Sequence, residues 1–319
     1  MNMNEMYALA QDIQSQVKTV ILGKDAAIQK VLMAILAKGH ILLEDVPGVG
    51  KTTLALSFAR VLGLDTRRIQ FTPDTMPSDI VGFSVYDKAT GQLRYQPGAV
   101  MTNLLLADEI NRTSAKTQSA LLEAMEERRV TVDGQTRDLQ SPFVVLATEN
   151  PVGSAGTQML PSSQLDRFLI RLSMGYPDRK SQVEIMKDRH HSDPLDNLKP
   201  VTDRNTLLAL IDTVSNVYIA DGVYDYTAEL MDATRKHPYI LLGVSPRGAL
   251  ALCRAAKAWA FLQGRDYVIP QDVALVLPDV CAHRLVLSPK ARLHDYTPEQ
   301  LLTELLDKTP QPNSRSFTK

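Results

Sequence analysis

The stretch Asp45-Val46-Pro47-Gly48-Val49-Gly50-Lys51-Thr52-Thr53 decides how this chain folds. It is a glycine-rich loop wedged between an apolar run, Ile41-Leu42-Leu43, and a helical pattern in Leu54, Phe58, Val61 and Leu62. In a strand–loop–helix unit of this kind, backbone N–H groups converge on phosphate oxygens at the helix N-terminus. Lys51 would neutralise the outer phosphates, and the Thr52 hydroxyl would reach a magnesium ion. Gly48 and Gly50 allow a backbone approach that a Cβ would block. Asp45 stands where glycine usually opens such a loop. Aspartate tolerates left-handed backbone better than most residues, so a left-handed turn is admissible there. Taken alone the loop could be an ordinary surface turn, and the residues downstream argue otherwise.

Working outward, short apolar runs recur between helical stretches: Arg68-Ile69-Gln70-Phe71, Leu104-Leu105-Leu106-Ala107, Val144-Val145-Leu146-Ala147 and Leu169-Ile170-Arg171-Leu172. Strands alternating with helices predict an α/β fold whose parallel sheet is covered on both faces. Ligands of such sheets gather at the carboxyl ends of the strands. Upstream, amphipathic helices are expected over residues 5–18 and from Asp25, the second closed by Gly39. Two hairpins interrupt the alternation, one over 83–95 and one over 130–139 around Asp133-Gly134. The polar stretch between Ser192 and Pro200 reads as a linker. Beyond it the pattern is helical over 207–219, 226–235, 247–262 and 301–306, with another helix starting at Pro270. The expected organisation is a nucleotide-binding domain over 1–192, a small all-α lid over 200–308 and a disordered polar tail over 309–319.

Asp108-Glu109 follows directly on the buried run 104–107, which puts both carboxylates at a strand mouth. An aspartate there suits a magnesium ion held through its water shell. The adjacent glutamate is placed to polarise an attacking water as general base. Asn150 ends the next run, where its amide could bond a γ-phosphate or orient that water. Asn150-Pro151 is also a common turn dipeptide.

These motifs together resemble the AAA+ ATPases, through Pro47 to Thr52, Asp108-Glu109, Asn150, Leu165-Asp166-Arg167-Phe168 and Ser245-Pro246-Arg247. More narrowly the chain resembles the MoxR family. Leu43-Glu44-Asp45-Val46-Pro47-Gly48, Asp108-Glu109-Ile110-Asn111-Arg112, Ala120-Leu121-Leu122-Glu123-Ala124-Met125, Val130-Thr131-Val132-Asp133-Gly134 and Gly264-Arg265-Asp266-Tyr267-Val268 carry that likeness. The resemblance spans about residues 21–283, and Asp45 is itself familiar in that family. It implies ATP and Mg²⁺ as cofactors, ATP hydrolysis and a homo-oligomeric ring, expected to be hexameric. It also implies a chaperone-like role with partners that carry von Willebrand factor A domains. Arg167 matches the family's arginine finger, which reaches the γ-phosphate of a neighbouring subunit. Arg247 matches the lid arginine called sensor 2, which touches nucleotide. Guanidinium suits both, because it stays charged and forks across phosphate oxygens. Arg112 and Arg128 are further arginine candidates.

Composition narrows the alternatives. Lys and Arg number 35 against 36 acids, a net charge of −1 that argues against a dedicated nucleic-acid or membrane-surface binder. Cys253 and Cys281 have no metal or redox spacing, and they suit a reducing cytoplasm. The start Met1-Asn2-Met3-Asn4-Glu5 lacks a basic region followed by an apolar one, so no signal peptide is expected. No apolar stretch approaches the ~20 residues of a membrane span. His190-His191 is a weak metal candidate, because adjacent helical residues point apart. Trp259 reads as lid core, and Tyr86 and Tyr95 as either cross-strand partners or client-gripping residues. Two other functions fit the motifs: a nucleotide-switched scaffold with little turnover, and a DNA motor, which the charge balance disfavours.

Overall fold

The computed structural model describes residues 2–46, 48–150, 158–188 and 194–312. The chain opens with two helices, α1 (Met3–Lys18) and α2 (Asp25–Leu36), before strand β1 (Ile41–Glu44). Asn2 caps α1 reciprocally with Glu5: the Glu5 N–H donates to Asn2 Oδ1 at 2.9 Å and the Asn2 N–H to Glu5 Oε2 at 2.8 Å. The close of α2 differs from expectation, for Lys38 and not Gly39 takes the left-handed position, with φ 56°. Gly39 serves another purpose. A Cβ there would lie 2.4 Å from the Leu169 side chain, so the glycine lets two chain segments touch.

Helix α3 (Lys51–Val61) and strand β2 (Thr66–Gln70) follow, then a short helix α4 (Pro77–Val81) and the first hairpin, β3 (Gly82–Asp87) with β4 (Gln92–Pro97). Strand β5 (Leu104–Asp108) leads into α5 (Ala115–Glu127) and the second hairpin, β6 (Arg129–Val132) with β7 (Gln135–Asp138). Strand β8 (Val144–Glu149), the one-turn α6 (Ser162–Leu165), strand β9 (Ile170–Leu172) and α7 (Arg179–Asp188) complete the first part. The five core strands form one parallel sheet in the order β2-β5-β8-β1-β9.

The pleat explains why β1, β5 and β8 are apolar up to their tips, whereas the edge strands β2 and β9 carry Arg67, Arg68 and Arg171. Ile41, Leu43, Leu104, Leu106, Val144 and Leu146 pack into the hydrophobic cluster that also holds α1, α2 and α3. Their alternates Leu42, Leu105, Ala107, Val145 and Ala147 belong to a second cluster, with α4 and α5 on the other face. Both faces are buried, so neither register position can be polar.

The second part comprises α8 (Arg204–Ser215), α9 (Asp221–Lys236), α10 (Pro246–Leu262), α11 (Pro270–Cys281), α12 (Pro289–Leu293) and α13 (Pro298–Lys308). It also holds an antiparallel strip the sequence reading missed, β10 (Ile240–Leu242) with β11 (Val286–Leu287). Its apolar helix faces, Trp259 among them, join the same cluster as α1 and α2, so the helical part shares a core with the sheet domain. The expected linker is likewise docked: Leu195 and Leu198 are buried, and the Arg60 guanidinium of α3 donates to the Leu195 carbonyl and pairs with Asp196 at 3.2 Å. In the expected tail, Thr309 is buried and Gln311 bonds Gln271 at 2.9 Å. His190-His191 and residues 313–319 lie outside the described residues. Among the described residues no helix is long and apolar enough to cross a membrane.

Candidate functional site

Three strand tips and one helix start converge at the carboxyl edge of the sheet. Gly48 and Gly50 adopt φ 86° and 94°, and Gly50 is the left-handed N-cap of α3. A Cβ at either glycine would meet nothing within 4 Å, so their conformation, not crowding, demands glycine. No side chain caps α3, which leaves the first-turn N–H groups of an 11-residue helix facing the loop. Those donors and the dipole behind them fit a phosphate chain. Val46, Val49, Thr52 and Thr53 lie in the same loop and first turn. Pro47 falls outside the described residues.

Asp45 does not use a left-handed turn. Its buried carboxylate turns away from the loop and accepts from the backbone N–H groups of Met174 and Gly175 and from the Ser173 hydroxyl at 3.1 Å. A glycine could not make this anchor, which ties the loop root to the segment after β9. Lys51 donates to the carbonyls of Asp45 at 2.7 Å and Val46 at 3.0 Å. Burial lowers its pKa, and the negative charges of Asp45, Asp108 and Glu109 act in the opposite direction.

Asp108 is buried at the tip of β5, and each of its oxygens is engaged. Oδ1 accepts from the Thr148 hydroxyl at 3.3 Å and Oδ2 from the Arg68 Nε at 2.7 Å. A carboxylate has about four lone-pair sites, so room remains for a metal-bound water. Glu109 sits at φ 56°, its N–H donating to Thr148 Oγ1 at 2.9 Å, and this turn swings its carboxylate out of the strand line. Arg112 holds that carboxylate at 2.7 Å. Asn111, fully buried, donates from Nδ2 to the Asn150 carbonyl at 3.1 Å, which couples the β5 turn to the β8 tip. Sequence reasoning missed Thr148, Arg68 and the bracing role of Asn111. Only Asn111 carried a signal, through its place beside Asp108-Glu109.

Glu149 and Glu44 are register partners on β8 and β1, just below the loop. Burial, then the Glu44 charge, push the Glu149 carboxyl up to about 7, with Arg171 opposing. Arg171 reaches Glu44 at 3.1 Å and Glu299 of α13 at 3.1 Å, so the loop root is ion-paired to the helical part.

The two predicted arginines sit elsewhere. Arg167 precedes β9, and its neighbour Leu169 donates to the His40 carbonyl just ahead of β1 at 2.8 Å. His40 Nε2 lies 3.2 Å from the Met125 carbonyl, one residue before Glu126 near the end of α5. Arg247 reaches that Glu126 through both terminal nitrogens at 2.7 and 2.6 Å, with Arg167 3.9 Å from it. Both arginines therefore lie at the amino edge of the sheet, about 13 Å of strand β1 away from the loop. Arg247 thus bonds Glu126 and not the loop of its own subunit. The cause is lid placement: α10 starts at Ser245, which accepts from the Gly248 N–H at 3.2 Å and donates to Asp166 at 3.2 Å, beside Arg167. Arg284, almost fully buried, fixes this junction through Asp166 Oδ1 at 2.7 Å and the Phe168 carbonyl at 2.6 Å.

Comparison with known proteins agrees with this architecture. The profile of the ATPase family associated with various cellular activities (AAA) matches residues 40–170, and the AAA lid domain matches 232–305. "Chaperone MoxR1" of Mycobacterium tuberculosis is 42% identical over 300 residues, covering 91% of this chain and 79% of its own. The chain belongs to the MoxR family of AAA+ ATPases. Protein YeaC of Bacillus subtilis is 47% identical over 313 residues, 98% of each chain. A crystal structure of a candidate ATPase from Cytophaga hutchinsonii superposes with TM-score 0.91 at 36% identity, covering 98% of this chain and 97% of that one. Nucleotide binding follows from membership in the MoxR family.

Of the client-gripping candidates, Tyr95 is engaged, donating to the Val81 carbonyl at 2.6 Å with Arg137 over its ring at 4.0 Å. Tyr86 projects into solvent on the same hairpin.

Proposed function

We propose that this protein hydrolyses ATP only when assembled, each site combining one subunit's loop edge with its neighbour's arginine edge. The observation carrying this reading is that loop and arginines occupy opposite edges of one sheet. In such a heterologous contact the surfaces join head to tail, and rings form when the rotation closes; a hexamer is the expected ring. Lys51 and the α3 N-terminus hold the phosphates, and Thr52 and Asp108 hold Mg²⁺. Bound magnesium supplies charge neutralisation between the phosphates. Glu109 takes the proton of the attacking water, and Asn150 orients that water. Arg167 and Arg247 meet the charge developing on the phosphate held next door.

The name of the mycobacterial relative supports a chaperone-like remodelling of protein partners. The family resemblance points to von Willebrand factor A domain proteins as those partners and to a cytoplasmic setting. A second reading, a nucleotide-switched scaffold with slow turnover, is favoured by one contact: Arg112 occupies the Glu109 carboxylate at 2.7 Å. Mass photometry and phosphate release decide between them. Glu109→Gln with ATP should collect as closed assemblies that barely release phosphate, while wild type turns over faster per subunit as concentration rises. A wild-type rate per subunit that is independent of concentration would sink the shared-site reading.

A further inference from the structure

At the amino edge a cavity of ≈ 220 Å³ lies between α2, α5 and α10. Its wall carries six cations, Lys38, Arg128, Arg167, Arg247, Arg254 and Arg284, against two carboxylates, Glu126 and Asp166. His40, held neutral by burial with its pKa near 4, adds no charge at neutral pH. The carboxylates are unevenly shared. Asp166 serves Arg284 at 2.7 Å, and Glu126 serves Arg247 at 2.7 and 2.6 Å and Arg167 at 3.9 Å. Arg128 is turned to the Lys38 carbonyl at 3.1 Å.

Arg254 is different. It is seven residues from Arg247 on α10, hence on the same helix face two turns along. Among the described residues it has no ion pair or hydrogen bond, though its side chain stands at the cavity mouth. Its side chain keeps contact with solvent, yet partial desolvation lowers its pKa, and Arg128, Arg284 and Arg247 lower it further, so like charges crowd it. A protein tolerates such a cluster where an anion completes it. Six cations against two carboxylates leave four positive charges in surplus, which suits a multiply charged anion.

We propose that Glu126 is an internal stand-in for the phosphate chain of a second copy of this protein: it latches Arg247 and Arg167 in the lone subunit, and on assembly it yields to that chain, which Arg254 meets as a third arginine. The proposal rests on the shared-site reading above and adds two residues that reading does not need. A carboxylate presents two oxygens to a guanidinium fork, as a phosphate does. Exchange is therefore a swap of partners, and its ease depends on the latch being partly exposed, as the Glu126 and Arg247 side chains are. Soluble polyphosphate shares the same chemistry and is the alternative source of the anion.

The test uses the full chain and two conservative variants on exposed helix positions, Glu126→Gln and Arg254→Gln. Mass photometry with ATP reports the concentration at half assembly. Releasing the latch in Glu126→Gln should lower it by about threefold to fivefold, the scale of an exposed ion pair. An unchanged or higher value would overturn the latch. For Arg254→Gln the plateau rate should fall by about 100-fold to 1,000-fold, the range for losing one donor to developing charge, while dilute subunits bind a fluorescent ATP analogue as wild type does. Mixing Arg254→Gln with Lys51→Ala should restore turnover above the sum of the two, since an intact loop then faces an intact Arg254. Failure to complement would overturn the third-arginine role. Tripolyphosphate that binds dilute Lys51→Ala, and binds it less after Arg254→Gln is added, would overturn the second-copy source. If wild type showed no concentration dependence, the shared-site reading itself would fall, a result separate from any of these.

Discussion

The two edges of the sheet are opposites. The carboxyl edge is acidic and built from backbone: Asp45, Asp108, Glu109 and Glu149 stand at strand tips, and Lys51 opens the helix beside them. The amino edge is cationic and built from side chains of separate elements, Arg167 before β9, Arg247 and Arg254 on α10, Glu126 on α5. On the reading proposed above, a phosphate-and-metal end and an arginine end are complementary to each other but too far apart to meet within one subunit. Sheet geometry would then divide the catalytic centre, and its completion would depend on association.

The contrast breaks most sharply at Arg167. Arg167→Ala should reduce turnover by about 10³–10⁵ in the assembled protein, with nucleotide affinity of dilute subunits unchanged. Phosphate release set beside a fluorescent nucleotide titration checks this, and a loss of affinity in dilute subunits would place Arg167 at its own loop. Next comes the scaffold under that edge. Removing the buried guanidinium in Arg284→Met should destabilise the fold by about 3 kcal/mol, the low end for breaking a buried pair, because Asp166 keeps some contact with water. Denaturant unfolding measures it, and the loop edge should still bind nucleotide under native conditions.

At the other edge, Asp45→Ala strands the Met174 and Gly175 N–H groups and should cost about 1–3 kcal/mol, read from the same unfolding curves. Asp45→Asn, which keeps an acceptor, should cost less. Another effect is a pH slope at Glu149. The folded carboxyl titrates near 7 and the unfolded one near 4.5, so between those values the folded state holds a proton that the unfolded state has lost. Stability should thus decline as pH rises from 4.5 to 7, and Glu149→Gln should remove that part of the slope. An identical pH profile for the two proteins would show that Glu149 ionises freely.

The carboxyl edge was legible in the chain because its parts are local. Gly48, Gly50, Lys51 and Thr52 are contiguous, and Asp108-Glu109 and Asn150 each follow an apolar run whose end must be a strand tip. Backbone geometry carries such motifs, and backbone geometry is set by near neighbours. Reading Asp45 failed for the converse reason: its partners, Ser173, Met174 and Gly175, lie about 130 residues away. Sequence separation likewise hid Thr148, 40 residues from Asp108, and Arg284 and Glu126, 118 and 121 residues from Asp166 and Arg247.

From residues in order came the alternating strands, the covered parallel sheet, the phosphate loop and the acids beside it, since period and turn chemistry act over a few positions. Tertiary structure alone decided that α10 docks at the far edge of that sheet. Ser245 and Arg284 close on Asp166 there, and a shared apolar core with α1 and α2 holds the lid in place. Contacts between segments 79 or more residues apart leave no periodic trace in a chain, and they are what sent Arg247 to Glu126 and away from its own loop.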